Sequence, residues 1–126
     1  MAAKTFIKPY KILEAGDMSQ PSITSPITSI QGVDNIAYQF IFTGTPTGTF
    51  TIEVSVDYAP GVGPNSEPLN PGHWDTLPIT PAMLALGTDG SIFADLNQMS
   101  APYVRAVYTS TSGTGSLDIY ITAKAI

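Results

Sequence analysis

The sequence predicts an all-β fold, a single-domain antiparallel β-sandwich of about eight strands with jelly-roll connectivity. Three observations support this prediction. Hydrophobic and polar residues alternate with a period of two along much of the chain. Eleven glycines and eleven prolines supply the turns between short strands. The 126 residues, of which 43% are hydrophobic, are enough to build the core of one ordinary domain.

The clearest strand runs over 50–58, where every second residue is Phe, Ile, Val, Val and Tyr. The same alternation predicts strands over 36–43, 102–110 and 117–124. Shorter strands are expected at 6–13, 27–31, 74–79 and 91–96. The five-residue connections 44–48 and 111–115 have the glycine and threonine content of hairpin turns, so each predicts an antiparallel pair.

Two segments depart from the strand pattern. A helix of one or two turns is predicted near 81–86, with Thr80 as its cap, Pro81 in the first turn and Gly87 at the end. Residues 59–72 contain four prolines and three glycines, which indicates a long loop. Long loops in compact domains are often functional, although this one could also be a rigid excursion from the edge of the sandwich.

Composition excludes several classes of function. The chain has no cysteine and one histidine, so thiolate metal sites, cysteine nucleophiles and centres that need two imidazoles are excluded. Five basic residues and a net charge of −5 do not suit nucleic acid as a partner. The chain has no apolar run of about 18 residues, the length that would predict a membrane span. The first residues do not have the pattern of a secretion signal.

The few charges are unevenly distributed. The first eleven residues contain three lysines, Lys4, Lys8 and Lys11, and no carboxylate. The remainder has two basic residues, Arg105 and Lys124, against ten acidic ones, a net charge of −8. The basic start could reach an acidic surface of a like subunit or a larger partner, or it could be a solvated tail that aids solubility.

Candidate chemistry is sparse. His73 and Asp75 would face the same side of a strand and could touch, but no nucleophile stands out beside them. Trp74 is expected to anchor one end of the core with its indole N–H on a loop carbonyl. The aspartates are scattered and form no calcium loop, although a weak site could assemble from neighbouring loops. We therefore expect no catalytic residue, no metal site and no cofactor.

Residues that could contact a partner are easier to find. If Val104, Ala106 and Tyr108 point inward, Arg105 lies outward with Tyr103 on an unusually apolar face. Such an arginine suits a protein interface, or it could pair with a carboxylate of its own sheet. The tyrosines could alternatively form a sugar-stacking platform or be core residues. The loop prolines Pro60, Pro64 and Pro68 complete the predicted contact residues, with the three lysines.

The turn and core pattern resembles that of small virion proteins of tailed bacteriophages. Five segments carry the resemblance: 44–50, 54–58, 74–77, 102–108, and 113–117, the last of which leads into the strand that ends at residue 124. It covers roughly 32–124. The best-understood proteins of this kind are capsid cement or decoration proteins, cysteine-free jelly rolls that staple neighbouring major capsid subunits.

The resemblance implies a structural protein that binds and stabilises the capsid lattice, with the major capsid protein as its partner. It implies a homo-oligomer, a dimer or trimer, made in the bacterial cytoplasm and located on the capsid surface. Residues 1–31 would be an arm with the first strands, and 32–126 the sandwich core. A protein of the head-to-tail junction or tail, and a carbohydrate-binding sandwich displayed on the virion, remain alternatives.

Overall fold

The computed structural model describes residues 6–61, 64, 67–97 and 99–124. Lys4, one of the predicted contact residues, lies outside them. Ten strands are present: β1 (Phe6–Asp17), β2 (Ser22–Thr24), β3 (Thr28–Ser29), β4 (Asn35–Gly44), β5 (Thr47–Ser55), β6 (Asp75–Thr76), β7 (Met83–Leu86), β8 (Gly90–Leu96), β9 (Tyr103–Ser112) and β10 (Gly115–Lys124). Among these residues no helix has the length and hydropathy needed to cross a bilayer.

The strands form two antiparallel sheets, which confirms the predicted β-sandwich. Sheet A has the order β1-β10-β4-β8, and sheet B has the order β2-β9-β5-β6, with β3 also on β9 and β7 also on β5. If β2 with β3, and β6 with β7, are each counted as one interrupted strand, the fold has eight strands, which agrees with the predicted number. Apart from the step from β5 to β6, which stays within sheet B, the chain then alternates between the sheets in the manner of a jelly roll.

The core lies between the sheets and is rich in aromatic rings. Phe50 of β5 packs against Phe40 of β4 with ring centroids 4.8 Å apart, and against Phe42 at 5.4 Å. It also packs against Tyr108 of β9 at 4.9 Å. The predicted inward faces of β4, β9 and β10 are all buried. The inward-facing half of each alternating pattern is therefore the surface that joins the two sheets.

Both predicted hairpins are wrong. The strands on either side of 44–48 belong to different sheets, because β4 pairs with β8 and β10 whereas β5 pairs with β6, β7 and β9. The same holds for β9 and β10 around 111–115. Glycine and threonine suit any tight reversal of the chain. Here each connection carries the chain across the core so that the buried faces of its two strands face each other.

The predicted helix near 81–86 is also wrong. Met83–Leu86 is strand β7, which pairs with Thr47 to Phe50 of β5. Met83 and Ala85 are buried while Leu84 and Leu86 are exposed, which is the period of a strand. The local cap signals were outweighed because pairing with β5 satisfies the backbone and buries one face of the segment.

The 50–58 strand ends earlier than its pattern predicts. β5 stops at Ser55, which is buried, and Val56 is 77% exposed although its spacing placed it inward. The predicted strands at 27–31 and 74–79 shorten to β3 and β6, two residues each. β2 was not predicted at all, because three residues carry too little alternation to detect.

Candidate functional site

The outer face of sheet B carries a group of aromatic rings around an arginine. We call it the Trp74 cluster, and it consists of Tyr58, Trp74, Tyr103 and Arg105. The guanidinium carbon of Arg105 lies 4.1 Å from the centroid of the Trp74 ring. Tyr58 packs edge-on against Tyr103 at 4.9 Å and lies 5.8 Å from Trp74. Each ring is partly exposed.

Arg105 is held by a carboxylate of its own sheet. Its Nε donates to Oε1 of Glu53 at 2.7 Å, and the two residues lie directly opposite each other on β9 and β5. Of the two interpretations open from the sequence, the in-sheet ion pair is the one observed. The pair holds the guanidinium over the Trp74 ring, so it orients the cluster. A role for Arg105 and Tyr103 in a partner interface stays a prediction.

Trp74 lies outside the core, so the expectation that it anchors the core is wrong. Its indole N–H does donate to a loop carbonyl, that of Pro71, at 2.9 Å, as expected. β6 is a short edge strand paired with β5, and its Thr76 lies opposite Glu53 on the outer face of the sheet. Trp74 is two residues before Thr76, so its ring faces the same outer side. The hydrogen bond ties the ring to the end of the 59–72 loop.

A buried serine supports the cluster from below. Ser55 is 2% exposed, and its hydroxyl accepts the backbone N–H of Tyr58 at 3.1 Å. Gly72 passes directly over it with a φ of +81°, and a side-chain carbon at that position would lie 2.8 Å from the Ser55 hydroxyl oxygen. Only glycine fits both the space and the backbone conformation. The loop therefore returns to the sheet at a fixed position.

His73 pairs with Asp57 rather than with Asp75. Its Nδ1 lies 2.6 Å from Oδ2 of Asp57, so Nδ1 carries the proton it donates, and its backbone N–H donates to Oδ1 at 2.8 Å. These bonds hold the pKa of the Asp57 carboxyl at about 2. The hydrogen bond and charge of Asp57 raise the pKa of His73 above its ordinary 6.5.

Ser55, Asp57 and His73 are the residue types of a hydrolase triad, but they are not arranged as one. The Ser55 hydroxyl donates to Oδ1 of Asp57 at 3.0 Å. In a triad the histidine lies between the serine and the carboxylate and takes the serine proton. Here the carboxylate lies between the other two and the serine is buried. The arrangement closes a loop and does not activate a nucleophile.

The 59–72 loop is closed at its base by a short bridge. Ala59 and Asn70 exchange backbone hydrogen bonds of 2.9 and 3.3 Å. The predicted contact residues Pro60, Pro64 and Pro68 are all exposed. Two large apolar side chains are exposed beside this base, Val56 at 77% and Leu69 at 71%. The sequence did not single out these two, because spacing placed Val56 in the core.

The predicted basic contact residues lie on the other sheet. Lys8 and Lys11 are in β1, an outer strand of sheet A, whereas the Trp74 cluster and the loop belong to sheet B. Lys11 makes ion pairs with Glu14 at 3.5 Å and Asp118 at 3.7 Å. The structure thus divides the described contact residues into two separate surfaces, one basic and one aromatic.

A third surface, at the edge formed by β7 and β8, was not predicted from the sequence. Strands β7 and β8 are outer strands of the two sheets, and a groove of about 490 Å³ lies between them. Leu84, Leu86 and Phe93 are exposed on this side. The period of β8 already places Phe93 outward with Ser91 and Asp95. Only the sheet order shows that, among the described strands, β8 pairs on one side alone.

Among the described residues, no group of three or more histidine, cysteine, aspartate or glutamate side chains is placed to hold a metal ion.

Comparison with known proteins gives a likeness to solved structures alone. No family model matches the chain, and no curated protein does. The solved structures that it matches include dimeric latent PorU from Porphyromonas gingivalis, with 9% sequence identity and a TM-score of 0.39. The match covers 91% of this chain and 11% of PorU. The class that fold and surface define is a jelly-roll β-sandwich with an aromatic and arginine cluster on one sheet.

Proposed function

We propose that this chain is a structural protein of a bacteriophage virion that stabilises the capsid lattice as a cement or decoration protein. Its partner is the major capsid protein of the same phage, and it acts as a homo-oligomer on the capsid surface. It is made in the cytoplasm of the bacterial host. Its work is binding, not catalysis.

The observation that carries the proposal is the composition of the Trp74 cluster and its border. Aromatic residues and arginine are enriched at the centres of protein interfaces and supply most of their binding energy. Here three aromatic rings and an arginine are already ordered by Glu53 and by the Pro71 carbonyl. Val56 and Leu69, which lie near the base of the same loop, are exposed as well. A pre-ordered surface of this kind loses little side-chain entropy when a partner binds.

The fold and the resemblance in turn and core pattern also support the proposal. A jelly roll holds its outer faces rigidly, because both sheets are packed on a common aromatic core. A protein that binds the assembled lattice and not the free subunits stabilises the lattice by linkage. Contacts at several lattice sites add through effective concentration, so each can be weak.

The carbohydrate-binding alternative also has an observation in its favour, the aromatic content of the cluster. Arg105 lies over the Trp74 ring at 4.1 Å, and the two tyrosines and Trp74 contact one another. A sugar would have to displace these contacts in order to stack. The protein-binding function therefore needs less rearrangement than the sugar-binding one.

The decisive measurement is the number of copies of this chain per virion, by quantitative mass spectrometry of purified particles. A cement protein is expected at on the order of hundreds of copies, whereas a ring at the neck or tail has about a dozen or fewer. About a dozen copies would move the protein to the neck or tail. Absence from the virion would reject every virion role.

The surface is tested by adding variants to particles that lack the protein. Trp74→Ala should weaken binding about tenfold or more, the loss expected for a residue at the centre of an interface. Thr109→Ala is the control, because Thr109 is exposed on the outer face of the same sheet and lies outside the Trp74 cluster. Equal occupancy by both variants would rule out the Trp74 cluster as the capsid contact. A gain of glycan binding that is lost with Trp74→Ala would favour the carbohydrate alternative.

A further inference from the structure

We infer that β8 is a dimerisation edge, along which two copies of this chain join their sheets A antiparallel about a two-fold axis at Phe93. Strand β8 pairs with β4 over all seven of its residues, with no register shift. Among the described strands, none pairs with its other side. Its backbone N–H and C=O groups on that side are therefore available to another strand.

Every other outer strand in the described part of the chain is protected against such pairing. β1 contains Pro9, two exposed lysines and three register shifts against β10. β2, β3 and β6 are two or three residues long, and β7 is four. Lysine, proline, bulges and short length are the devices by which edge strands avoid association. β8 is seven residues long, contains no lysine, proline or bulge, and carries a single charged side chain, Asp95.

The side chains of β8 are complementary to themselves in one register. With Phe93 opposite Phe93 of the second copy, all seven residues of β8 are paired. Ser91 of each copy then lies opposite Asp95 of the other. Each Asp95 carboxylate thus faces the hydroxyl donor of Ser91 and not another carboxylate.

Other antiparallel registers are worse. Sliding the second strand by two residues in one direction leaves only residues 90–94 paired, so Asp95 lies beyond the paired residues and loses Ser91 as its partner. In the other direction Asp95 lies opposite Phe93, and the carboxylate has no donor. Sliding the second strand by one residue would place its core-facing side chains on the solvent-facing side of the joined sheet. The sequence of this edge therefore selects the register centred on Phe93.

The apolar surface at this edge fits the same partner. Phe93 is 61% exposed at the centre of the strand, and two copies would place their Phe93 rings side by side. The groove between β7 and β8 and the exposed Leu84 and Leu86 lie on the same side of the sandwich. Asp95 is the one charged residue that lines the described groove. The dimer would cover Phe93, which is more exposed than Tyr10, and each Asp95 would face Ser91 of the other copy.

This dimer would account for the homo-oligomer of the proposed function. The inference itself depends on the unpaired side of β8 and not on binding to the capsid. It predicts a concentration-dependent dimer of the purified chain in sedimentation equilibrium. Phe93→Lys should weaken association by about tenfold or more, because two lysines would then lie opposite each other. Thr109→Lys adds the same charge at an exposed position of β9 in sheet B, away from the edge, and should leave association unchanged. Trp74→Ala should also leave it unchanged, which separates the dimer from the capsid contact.

The register is tested by cross-linking, since the chain has no cysteine of its own. Directly opposite residues of antiparallel strands have Cα atoms about 4.5–5.5 Å apart, within the range of a disulfide. Phe93→Cys should give a covalent dimer on mild oxidation, and Ser91→Cys alone should not. Ser91→Cys combined with Asp95→Cys should restore it. A monomer at all concentrations, or a dimer unaffected by Phe93→Lys with no Phe93→Cys cross-link, would overturn the inference.

Discussion

At the scale of single residues, the polar side chains of the candidate site act mainly on one another. Glu53 fixes Arg105, and Arg105 covers the ring of Trp74. Asp57 accepts two bonds from His73 and thereby holds the end of the loop. None of these pairs could be chosen from sequence spacing, because Asp57 and His73 are sixteen residues apart and Asp75 was a nearer candidate. Spacing identifies neighbours on one strand but not across strands.

The Asp57–His73 pair predicts a pH dependence of stability. The lowered pKa of Asp57 contributes stability above its ordinary value of 3.8, which is lost as the pH falls toward about 2. The raised pKa of His73 contributes stability that is full below 6.5 and lost as the pH rises through the raised value. The pair should therefore stabilise the loop most between about pH 4 and 6.5.

This dependence can be measured by NMR titration of the single histidine. The pKa of His73 should lie above 6.5 in the native chain, and Asp57→Asn should return it toward that value. Asp75→Asn is the matched control and should have the smaller effect, since Asp75 contributes only its more distant charge. A His73 pKa at or below 6.5 in the native chain would contradict the pair.

At the scale of elements, the pattern of alternation was a good guide to which face of a strand is buried. It predicted the inward faces of β4, β9 and β10, all of which are in the core. It was a poor guide to which strand pairs with which. The turn at 44–48 has the residues of a hairpin, yet Gly44 and Thr45 both contact Thr114 of the other connection. Turn residues specify a reversal, whereas the partner is decided by burial of both strands.

Phe50 links the elements across the core, and its removal tests that link. Phe50→Ala should lower the free energy of unfolding by about 3–5 kcal/mol, because it leaves a cavity among Phe40, Phe42 and Tyr108. Leu86→Ala is the control, since Leu86 is 75% exposed, and should change it by less than about 0.5 kcal/mol. Chemical denaturation gives both values. Similar losses in the two variants would show that the ring cluster is not the centre of the core.

At the scale of the whole molecule, the last strand closes the first sheet. β10 lies between β1 and β4, so it is an interior strand of sheet A, and it pairs with β4 over ten residues. Its inward side chains are buried. Residues 1–31 were predicted to be an arm with the first strands. From residue 6 onward this segment forms β1, which pairs with β10 on the side that does not face β4. The basic start of the described chain is thus part of the sheet, at the edge opposite β8.

This position of β10 predicts how the chain responds to truncation. A chain ending at Gly113 should show no cooperative unfolding, because sheet A would be split and the core opened on one side. Deletion of residues 2–11 is the comparison, since it shortens an outer strand and leaves β10, β4 and β8 in contact. That chain should unfold cooperatively at a lower midpoint. The chain ending at Gly113 could instead unfold cooperatively, with the same dependence of its unfolding free energy on denaturant concentration as the full chain. That result would contradict the closing role of β10.

The sequence by itself determined the all-β class, the turn-rich spacing and the inward faces of the long strands, because period two is a local property that each strand carries alone. Only the tertiary structure decided the pairing of strands, the outward position of Trp74, the Asp57–His73 pair and the strand character of residues 83–86. Those features depend on groups distant in sequence, whose meeting is set by burial of two sheets against each other. The unprotected edge of β8 is of the same kind, since a strand is an edge only with respect to its sheet.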